Sequence, residues 1–203
     1  MTELLLIRHG QSEADLLDRF EGHANYSLTT LGRHQANRLA EWVFSNYKPS
    51  ILFSSPLNRA RETAEALSVK LQLPIQFDDA IIEQTNGVLD GTLKEKASLK
   101  HPLPPGGWKR YEAIEGGENV ILLRARAENF ISRIIVLLEE NSDLKSLCIV
   151  AHGSIISMLF RSFLNLPYDS QVFLPTGDTG VHIWNYDNGN KTILKTNSLE
   201  HLS

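Results

Sequence analysis

Two short stretches of the sequence end an apolar run on a histidine. "LLLIRHGQS" (4–12) runs from aliphatic residues into Arg8 and His9, and "LCIVAHGSI" (147–155) runs into His152. If the two segments are parallel neighbouring strands, both histidines emerge at the same edge of one sheet. The glycine after each histidine lets the backbone turn sharply and a ligand approach closely. The helix predicted after each turn would offer unpaired N–H groups to an anion.

A third strand end adds a cation to this edge. "ILFS" leads into "SSPLNRARETA", where Ser55 suits the N-cap of a helix and Pro56 its first position. Arg59 would then lie in the first helical turn, near the two histidines. Arg8, Arg59 and two histidines would repel one another without a partner. The pattern therefore predicts a site for a multiply charged oxyanion such as phosphate.

A carboxylate for proton transfer is expected in "IIEQTNGVLDGT" (81–92). Glu83 follows two isoleucines, and an apolar wall there would raise its pKa and let it hold a proton. Asp90 is the rival, although Asp-Gly is also a common turn signal. The chain has no His-x-x-x-His pair and no cysteine cluster, so neither a metal nor another cofactor is predicted.

Alternating apolar runs and helical periodicity predict the elements that position these residues. The fold class is α/β, a three-layer sandwich with a largely parallel central sheet covered by helices on both faces. The predicted strands are 4–7, 51–54, 147–151, 180–186 and 191–197, the last two forming a hairpin around Asn188-Gly189. The predicted helices are 31–47, 57–71, 118–140 and a segment running from "AHGS" through Phe160. Each of the first three has an apolar stripe at helical spacing. The stripe of 31–47 is Leu31, Leu39, Val43 and Tyr47; that of 57–71 is Leu57, Ala60, Ala64, Leu67 and Leu71; that of 118–140 is Val120, Leu123, Ala127, Phe130, Ile134 and Leu138.

Composition limits the partners. With 203 residues the chain fits a single domain (1–203), and a net charge of −4 offers no general attraction for nucleic acid or for an anionic membrane. The single cysteine, Cys148, lies in an apolar run and is expected to be a buried, unreactive thiol. No secretory signal and no apolar segment of membrane-spanning length is visible, so a cytoplasmic protein is expected. A homodimer is left open.

The stretch at about 94–117 is rich in proline, glycine and charge. It predicts an irregular insertion over the surface, and such a loop is often a lid or a binding segment. Four of its residues could recognise a substrate or simply be part of a mobile loop: Trp108, Lys109, Arg110 and Tyr111.

The histidines outside the predicted site are expected on the surface or in local hydrogen bonds: His23, His34, His101, His182 and His201.

Motifs in this order resemble those of the histidine phosphatase superfamily, the group that contains the cofactor-dependent phosphoglycerate mutases. The matching stretches are "RHGQSEAD", "NYSLTTLGRHQA", "SSPLNRARETA", Glu83 four residues before Gly87, "GGEN" (116–119), "VAHGS" and the terminal "NSLEHL". They span nearly the whole chain.

The resemblance implies a role for each matched residue. His9 would be the nucleophile that takes the phosphoryl group, and Glu83 would protonate the leaving alcohol. Arg8, Arg59 and His152 would bind the phosphoryl oxygens, His152 also acting in catalysis. Covalent catalysis of this kind splits one difficult displacement into two, and fixed cations stabilise the charge that develops.

The chain departs from the family pattern at three positions. Asp15, Glu21 and Asp178 are acids where the family often has an amide. Carboxylates beside a phosphate would weaken its binding. Either these acids point away from the site, or the substrate has a cationic part, or catalysis is impaired. Together with Ser12 and Thr179 they are candidate substrate contacts, while Ser12 and Gln11 could equally cap the next segment.

Three functions remain open at this stage. The first is a phosphomonoester phosphatase that acts through phosphohistidine on a small phosphorylated metabolite. The second is a cofactor-dependent phosphoglycerate mutase, and the third is a catalytically weakened relative that binds a phospho-ligand. The family's mutases are generally longer and more basic after the acid, which favours the phosphatase. Retention of His9, Arg8, Arg59, Glu83 and His152 argues against the weakened relative.

Overall fold

The computed structural model describes the backbone of residues 1–203 and every side chain except that of residue 98. The described residues form one sheet of six strands, in the order β3-β2-β4-β1-β5-β6. The strands are β1 (Thr2–Arg8), β2 (Ile51–Ser54), β3 (Ile75–Phe77), β4 (Ser146–Ala151), β5 (Val181–Asp187) and β6 (Asn190–Ser198).

Four neighbouring strands run in parallel, and this register places the site. β1 pairs with β4, β4 with β2, and β2 with β3, all parallel. Arg8 is opposite Ala151 in the β1–β4 register. His9 and His152, the next residue on each strand, therefore leave the sheet side by side. β5 and β6 form the predicted antiparallel hairpin, with Asn188 and Gly189 at positive φ in its turn.

Helices cover both faces of the sheet. The α-helices are α1 (Glu13–Leu16), α2 (Thr30–Asn46), α3 (Asn58–Leu71), α4 (Lys94–Lys100), α5 (Val120–Glu140) and α6 (Gly153–Phe163). One core cluster joins α5 and α6 to the sheet, through residues such as Phe130 and Leu159. The other joins α2 and α3 to the opposite face, through residues such as Leu39 and Leu67. The predicted three-layer α/β architecture is confirmed.

Several local predictions were wrong in detail. Leu31 was placed on the apolar stripe of α2, but its side chain is 53% exposed, because it lies on the outer side of the first turn. α3 begins at Asn58 with Leu57 as its N-cap, two residues later than predicted from Ser55. Within the segment predicted to be irregular, residues Lys94–Lys100 form α4, since the run of lysines and alanine favours a helix.

Among the described residues, none of the helices is both long enough and apolar enough to cross a bilayer.

Cys148 is fully buried in β4, and burial raises the pKa of its thiol. A buried thiol of this kind is unreactive.

Candidate active site

The carboxyl ends of β1 and β4 bring two histidine rings together. The ring centroids of His9 and His152 lie 5.0 Å apart, and both side chains are buried. The pairing follows from the parallel register, as the sequence predicted. Arg59, from the first turn of α3, reaches the same point and is fully buried. The structure thus brings these three predicted residues into contact.

The hydrogen bonds of His9 fix its tautomer. Nδ1 lies 2.8 Å from the carbonyl oxygen of Gly10, which can only accept, so Nδ1 carries the proton. Nε2 receives the Nε–H of Arg59 over 3.2 Å and therefore presents its lone pair. An imidazole held in this tautomer has an unprotonated nitrogen facing a guanidinium, which is the form that a nucleophilic histidine needs.

Backbone carbonyls hold the Arg59 guanidinium in place. It donates to the carbonyl oxygens of Gly22 (2.9 Å) and Ala24 (3.1 Å). Burial lowers the pKa of Arg59 from its ordinary value, while the nearby charge of Glu21 opposes that change. An arginine retains its charge through a shift of this kind. The buried guanidinium is thus a fixed cation beside His9.

Arg8 lies at the edge of the site between two carboxylates. Its Nη1 donates to the carbonyl oxygen of Thr176 (3.0 Å) and lies 3.3 Å from Oδ1 of Asp178. Its Nη2 lies 3.4 Å from Oδ1 of Asp15. Burial raises the pKa of Asp178; Arg8 counteracts this effect, and Asp15 adds to it. The cation is therefore largely neutralised by its neighbours.

Glu21 faces the histidine directly. One carboxylate oxygen lies 3.5 Å from Nε2 of His9, and the other lies 3.4 Å from Nε of Arg59 and accepts from the hydroxyl of Ser12. Burial by itself would raise the pKa of Glu21. His9 lowers the pKa when its ring is protonated, and Arg59 and Ser12 lower it as well. Together these contacts outweigh burial, so the pKa of Glu21 is lowered from its usual value.

The three acids that depart from the family pattern therefore point toward the site. Asp15, Glu21 and Asp178 all contact Arg8, Arg59 or His9. The alternative in which these carboxylates point away is wrong. An incoming phosphate has to compete with them for the two guanidinium groups.

His152 is held from the third strand. Its Nε2 lies 2.8 Å from the hydroxyl of Ser55, the residue predicted to cap α3. Nδ1 is buried and has no hydrogen-bond partner among the described residues. Burial lowers the pKa of His152 well below its ordinary value, and the charge of Arg59 adds to the effect. The ring is thus neutral, with one nitrogen bonded to Ser55 and the other buried and unpaired. Sequence reasoning missed the contact with Ser55, which joins two strand ends distant in sequence.

Glu83 lies against a helix N-terminus rather than an apolar wall. Its carboxylate accepts the backbone N–H groups of Ser154 (3.1 Å) and Ile155 (3.2 Å), in the first turn of α6. The predicted apolar wall was wrong, because Ile81 is turned into the core and Ile82 is only half-buried. The N–H groups that the sequence assigned to an external anion are thus bonded to Glu83 itself.

Two residues that sequence reasoning missed hold the Glu83 backbone. Arg126 on α5 donates to the carbonyl oxygen of Glu83 (3.0 Å) and pairs with Glu118 (2.7 Å). His23 contacts the same carbonyl oxygen (2.8 Å). The rival acid, Asp90, instead accepts from the backbone N–H of His23 (2.9 Å) and from neighbouring residues, so it serves as a loop anchor.

The remaining candidate contacts make structural bonds. Ser12 and Asp15 form a reciprocal capping box at α1, and Ser12 is fully buried. Gln11 accepts from the hydroxyl of Thr29 (2.8 Å). Thr179 is fully buried, has a positive φ of 54° and donates its backbone N–H to the carbonyl oxygen of His9 (3.1 Å).

Close backbone approach explains two motif glycines, Gly10 and Gly32. A Cβ on Gly10 would lie 2.6 Å from the carbonyl oxygen of Gly32 in α2. A Cβ on Gly32 would lie 2.1 Å from the carbonyl oxygen of Gln11. The turn after His9 therefore packs directly on the helix backbone, which requires glycine at both positions.

The loop residues are only partly free. Arg110 donates to the carbonyl oxygens of Tyr168 (3.1 Å) and Asp169 (2.6 Å), and Lys109 pairs with Glu112. Trp108 and Tyr111 are 46% and 62% exposed. These contacts fix the loop to the segment after α6 and leave two aromatic side chains at the surface.

One grouping has ligand atoms for a metal. Donor atoms of His9, Asp15 and Glu21 lie within 4.8 Å of one another. A metal was not predicted, because the chain has no His-x-x-x-His pair and no cysteine cluster and because Arg8 is adjacent to His9. Arg8 and Arg59 already neutralise these carboxylates, and a second cation there would meet their charge.

The sheet order and the histidine pair at its carboxyl edge define a phosphoglycerate mutase-like α/β protein. Residues 4–199 match the histidine phosphatase superfamily (branch 1). The glucosyl-3-phosphoglycerate phosphatase of Mycolicibacterium vanbaalenii is 30% identical over 188 residues, which cover 89% of this chain and 81% of the relative. The chain belongs to the histidine phosphatase superfamily, as its motifs predicted.

Solved structures share the fold. The α-ribazole phosphatase of Shigella flexneri has a TM-score of 0.85 at 24% identity, covering 98% of this chain and 97% of that one. A mycobacterial glucosyl-3-phosphoglycerate phosphatase complexed with VO3 has a TM-score of 0.84 at 24% identity, covering 98% and 100%. At this identity the likeness shows the fold.

Proposed function

We propose that this protein is a phosphomonoester phosphatase that acts through a phosphohistidine on a small phosphorylated metabolite. The observation that carries the proposal is the fixed tautomer of His9, whose Nε2 faces Arg59 over 3.2 Å. A histidine held this way attacks phosphorus without first losing a proton. The relative and the two solved structures named above are phosphatases of small phosphorylated compounds, which supports the substrate class.

In the first step, the Nε–H of Arg59 turns from Nε2 of His9 to a phosphoryl oxygen. The freed lone pair of Nε2 attacks phosphorus and forms an N–P bond while the P–O bond to the alcohol breaks. Glu83 gives its proton to the departing oxygen. Arg8, Arg59 and His152, with its proton on Nδ1, donate to the phosphoryl oxygens and stabilise the charge that they gain. Preorganised donors of this kind usually supply the largest part of such catalysis.

In the second step, a water molecule attacks the same phosphorus. Glu83 takes the proton of the water, the N–P bond breaks, and inorganic phosphate leaves. His9 returns to its original tautomer, because Nδ1 keeps its proton bound to the carbonyl oxygen of Gly10 throughout. The cycle therefore consumes one water and no cofactor.

The three acids shape the preference for substrate. Asp15, Glu21 and Asp178 lower the positive potential of the site, so a dianionic phosphate gains less from Arg8 and Arg59 than it would beside amides. We expect weak inhibition by free phosphate.

The segment at about 94–117 would serve as the lid over this site, within one domain that spans 1–203. A cytoplasmic location, with neither nucleic acid nor membrane as partner, completes the proposal.

The test uses purified protein with an aryl phosphate and with phosphoglycerates. Phosphate release, isomer exchange and acid-labile phosphoprotein are measured, with His9→Ala as the variant and His34→Ala, an exposed histidine on α2, as the matched control. Release that is lost only in His9→Ala supports the phosphatase. Isomerisation without release would identify a phosphoglycerate mutase instead. No turnover and no phosphoprotein would indicate the weakened phospho-ligand-binding relative.

A further inference from the structure

The terminal motif "NSLEHL" has no part in the mechanism above, yet two of its side chains contact the turn beside Arg8. That turn, residues 176–180, lies between α6 and β5. Asn197 Oδ1 accepts the backbone N–H of Gly177 (2.8 Å). His201 Nε2 lies 2.8 Å from the hydroxyl of Thr179. His201 was expected on the surface or in a local hydrogen bond; its side chain is only 5% exposed, and its hydrogen bond joins a residue 22 positions away.

The hydrogen bonds around Thr179 have one consistent direction. Its hydroxyl donates to the carbonyl oxygen of Asp178 (2.7 Å), so it can only accept from His201. His201 therefore carries its proton on Nε2. Its Nδ1 is buried and lacks a hydrogen-bond partner within the described part of the chain. Burial lowers the pKa of His201 to about 4, so the ring is neutral at physiological pH.

Thr179 occupies a conformation that it would not adopt without support. Its φ is 54°, in the left-handed region that a β-branched residue disfavours. The surrounding structure has to hold it there. His201, which lies outside the turn, donates a hydrogen bond to the Thr179 hydroxyl. The ring of His201 packs in turn on Trp42 of α2, with the ring centroids 5.9 Å apart.

The same turn supplies the immediate surroundings of Arg8 and His9. The carbonyl oxygen of Thr176 accepts from Arg8 Nη1 (3.0 Å), and Asp178 lies 3.3 Å from that nitrogen. The backbone N–H of Thr179 donates to the carbonyl oxygen of His9 (3.1 Å). A displacement of the turn would therefore move the acceptors that orient the guanidinium.

We propose that His201 and Asn197 are positioning residues that orient Arg8 for phosphate through the turn at 176–180. This inference rests on the proposed function, because it assigns the role to a phosphate-binding Arg8. His182 supports the turn from β5, since its Nε2 lies 2.8 Å from the hydroxyl of Thr176 and its Nδ1 accepts the backbone N–H of Asn197 (3.2 Å). The C-terminal segment thus acts on the site without touching the substrate.

The experiment compares His201→Phe with His201→Gln in the full chain. Phenylalanine keeps a ring for packing on Trp42 and lacks the donor, whereas glutamine keeps an N–H donor. Two quantities are measured: amide hydrogen exchange of the peptide containing 176–180, and the inhibition constant for inorganic phosphate. For His201→Phe we expect faster exchange there and an inhibition constant raised about tenfold, from the loss of one buried hydrogen bond. His201→Gln should restore most of both.

A double-mutant cycle with Thr179→Val isolates the bond. If the effect runs through the Thr179 hydroxyl, adding Thr179→Val to His201→Phe weakens phosphate binding no further. His34→Phe on the surface of α2 is the control for an aromatic substitution. Unchanged exchange at 176–180 would overturn the proposal, whatever the activity. Faster exchange with an unchanged inhibition constant would also overturn it, by reducing His201 to a structural role. A wild-type protein that binds phosphate but never releases it from an ester would count against the proposed function alone.

Discussion

Nε of Arg59 donates to Nε2 of His9 over 3.2 Å, and both side chains are buried. The other two guanidinium nitrogens donate to the backbone carbonyl oxygens of Gly22 and Ala24. The loop at residues 22–24 therefore aims the cation, and the cation holds Nε2 of His9 in its unprotonated form. In the mechanism that we propose, Arg59 both positions the nucleophile and stabilises charge.

The first prediction concerns this contact. Arg59→Lys keeps the charge, but a single ammonium cannot serve three acceptors at the same geometry. We expect kcat with an aryl phosphate to fall about 100-fold, as it does when one transition-state donor is removed elsewhere. The control is Arg61→Lys, because Arg61 is half-exposed and pairs with Asn58 and Glu65 on the surface of α3. Equal losses in the two variants would contradict the assignment.

The second prediction concerns Asp15. Its Oδ1 lies 3.4 Å from Arg8, while its Oδ2 accepts the backbone N–H of Ser12 in the capping box. Asparagine keeps an acceptor for the cap and removes the charge. We expect the inhibition constant for inorganic phosphate or vanadate to fall about threefold in Asp15→Asn, as for a partly exposed ion pair. Asp18→Asn, an exposed acid paired with Lys94, should leave that constant unchanged. No change in Asp15→Asn would show that Asp15 does not compete for Arg8.

The sequence predicted the sheet and the central residues for a physical reason. Parallel strands end at a common edge, so a histidine one residue beyond β1 and another one residue beyond β4 must meet. Only the strand pattern was needed to bring His9 and His152 together. Arg59 followed from a helix that starts at the same edge, even though its cap was placed two residues too early.

The contacts around Glu83 and His201 could not be predicted in the same way. Glu83 reaches Ser154 and Ile155 from 71 and 72 residues away, and this depends on how the segment after β3 folds back over α6. Side-chain bonds between distant loops have no periodicity in the sequence. The burial of His201 likewise depends on the packing of the last residues against Trp42, which a polar C-terminal pattern does not reveal.

The third prediction concerns how the charge of Glu21 makes the stability of the fold depend on pH. Glu21 has a folded-state pKa below its ordinary 4.5, so its charged form stabilises the fold. That contribution is fully present above 4.5 and is lost as the pH falls toward the lowered value. Glu21→Gln should therefore lower the free energy of unfolding at pH 7 by about 2 kcal/mol. The difference from wild type should shrink below pH 4.5, as measured by urea unfolding.

The fourth prediction concerns Asp178. Its folded-state pKa is raised above 3.8 by burial, so the folded state holds the proton longer than the unfolded chain. Stability is then lost as the pH rises from 3.8 through the raised value. Asp178→Asn should be more stable than wild type at pH 7 and equal to it at pH 3, by the same urea titration. A lower stability of Asp178→Asn at pH 7 would mean that its pairing with Arg8 outweighs burial.

The last prediction separates the two roles of Glu83. A nitrophenolate leaves without a proton, whereas an alkoxide does not, so loss of the acid should slow only the alkyl ester in the first step. With 4-nitrophenyl phosphate, Glu83→Gln should give a rapid burst of nitrophenolate equal to the protein, followed by slow turnover, because no base remains to activate water. With an alkyl phosphate the burst should vanish and kcat should fall on the order of 100-fold or more.

The matched control for Glu83 is Glu115→Gln, an exposed acid in the loop before α5. It should behave as wild type with both esters. Glutamine at position 83 keeps one acceptor oxygen where Glu83 uses two, so one of the bonds from Ser154 and Ile155 is kept and the other is lost. The melting temperature should therefore fall modestly while the protein stays folded. If the burst with 4-nitrophenyl phosphate slowed as much as the alkyl ester, Glu83 would be orienting the phosphoryl group rather than transferring a proton, and the acid would have to be sought elsewhere in the site.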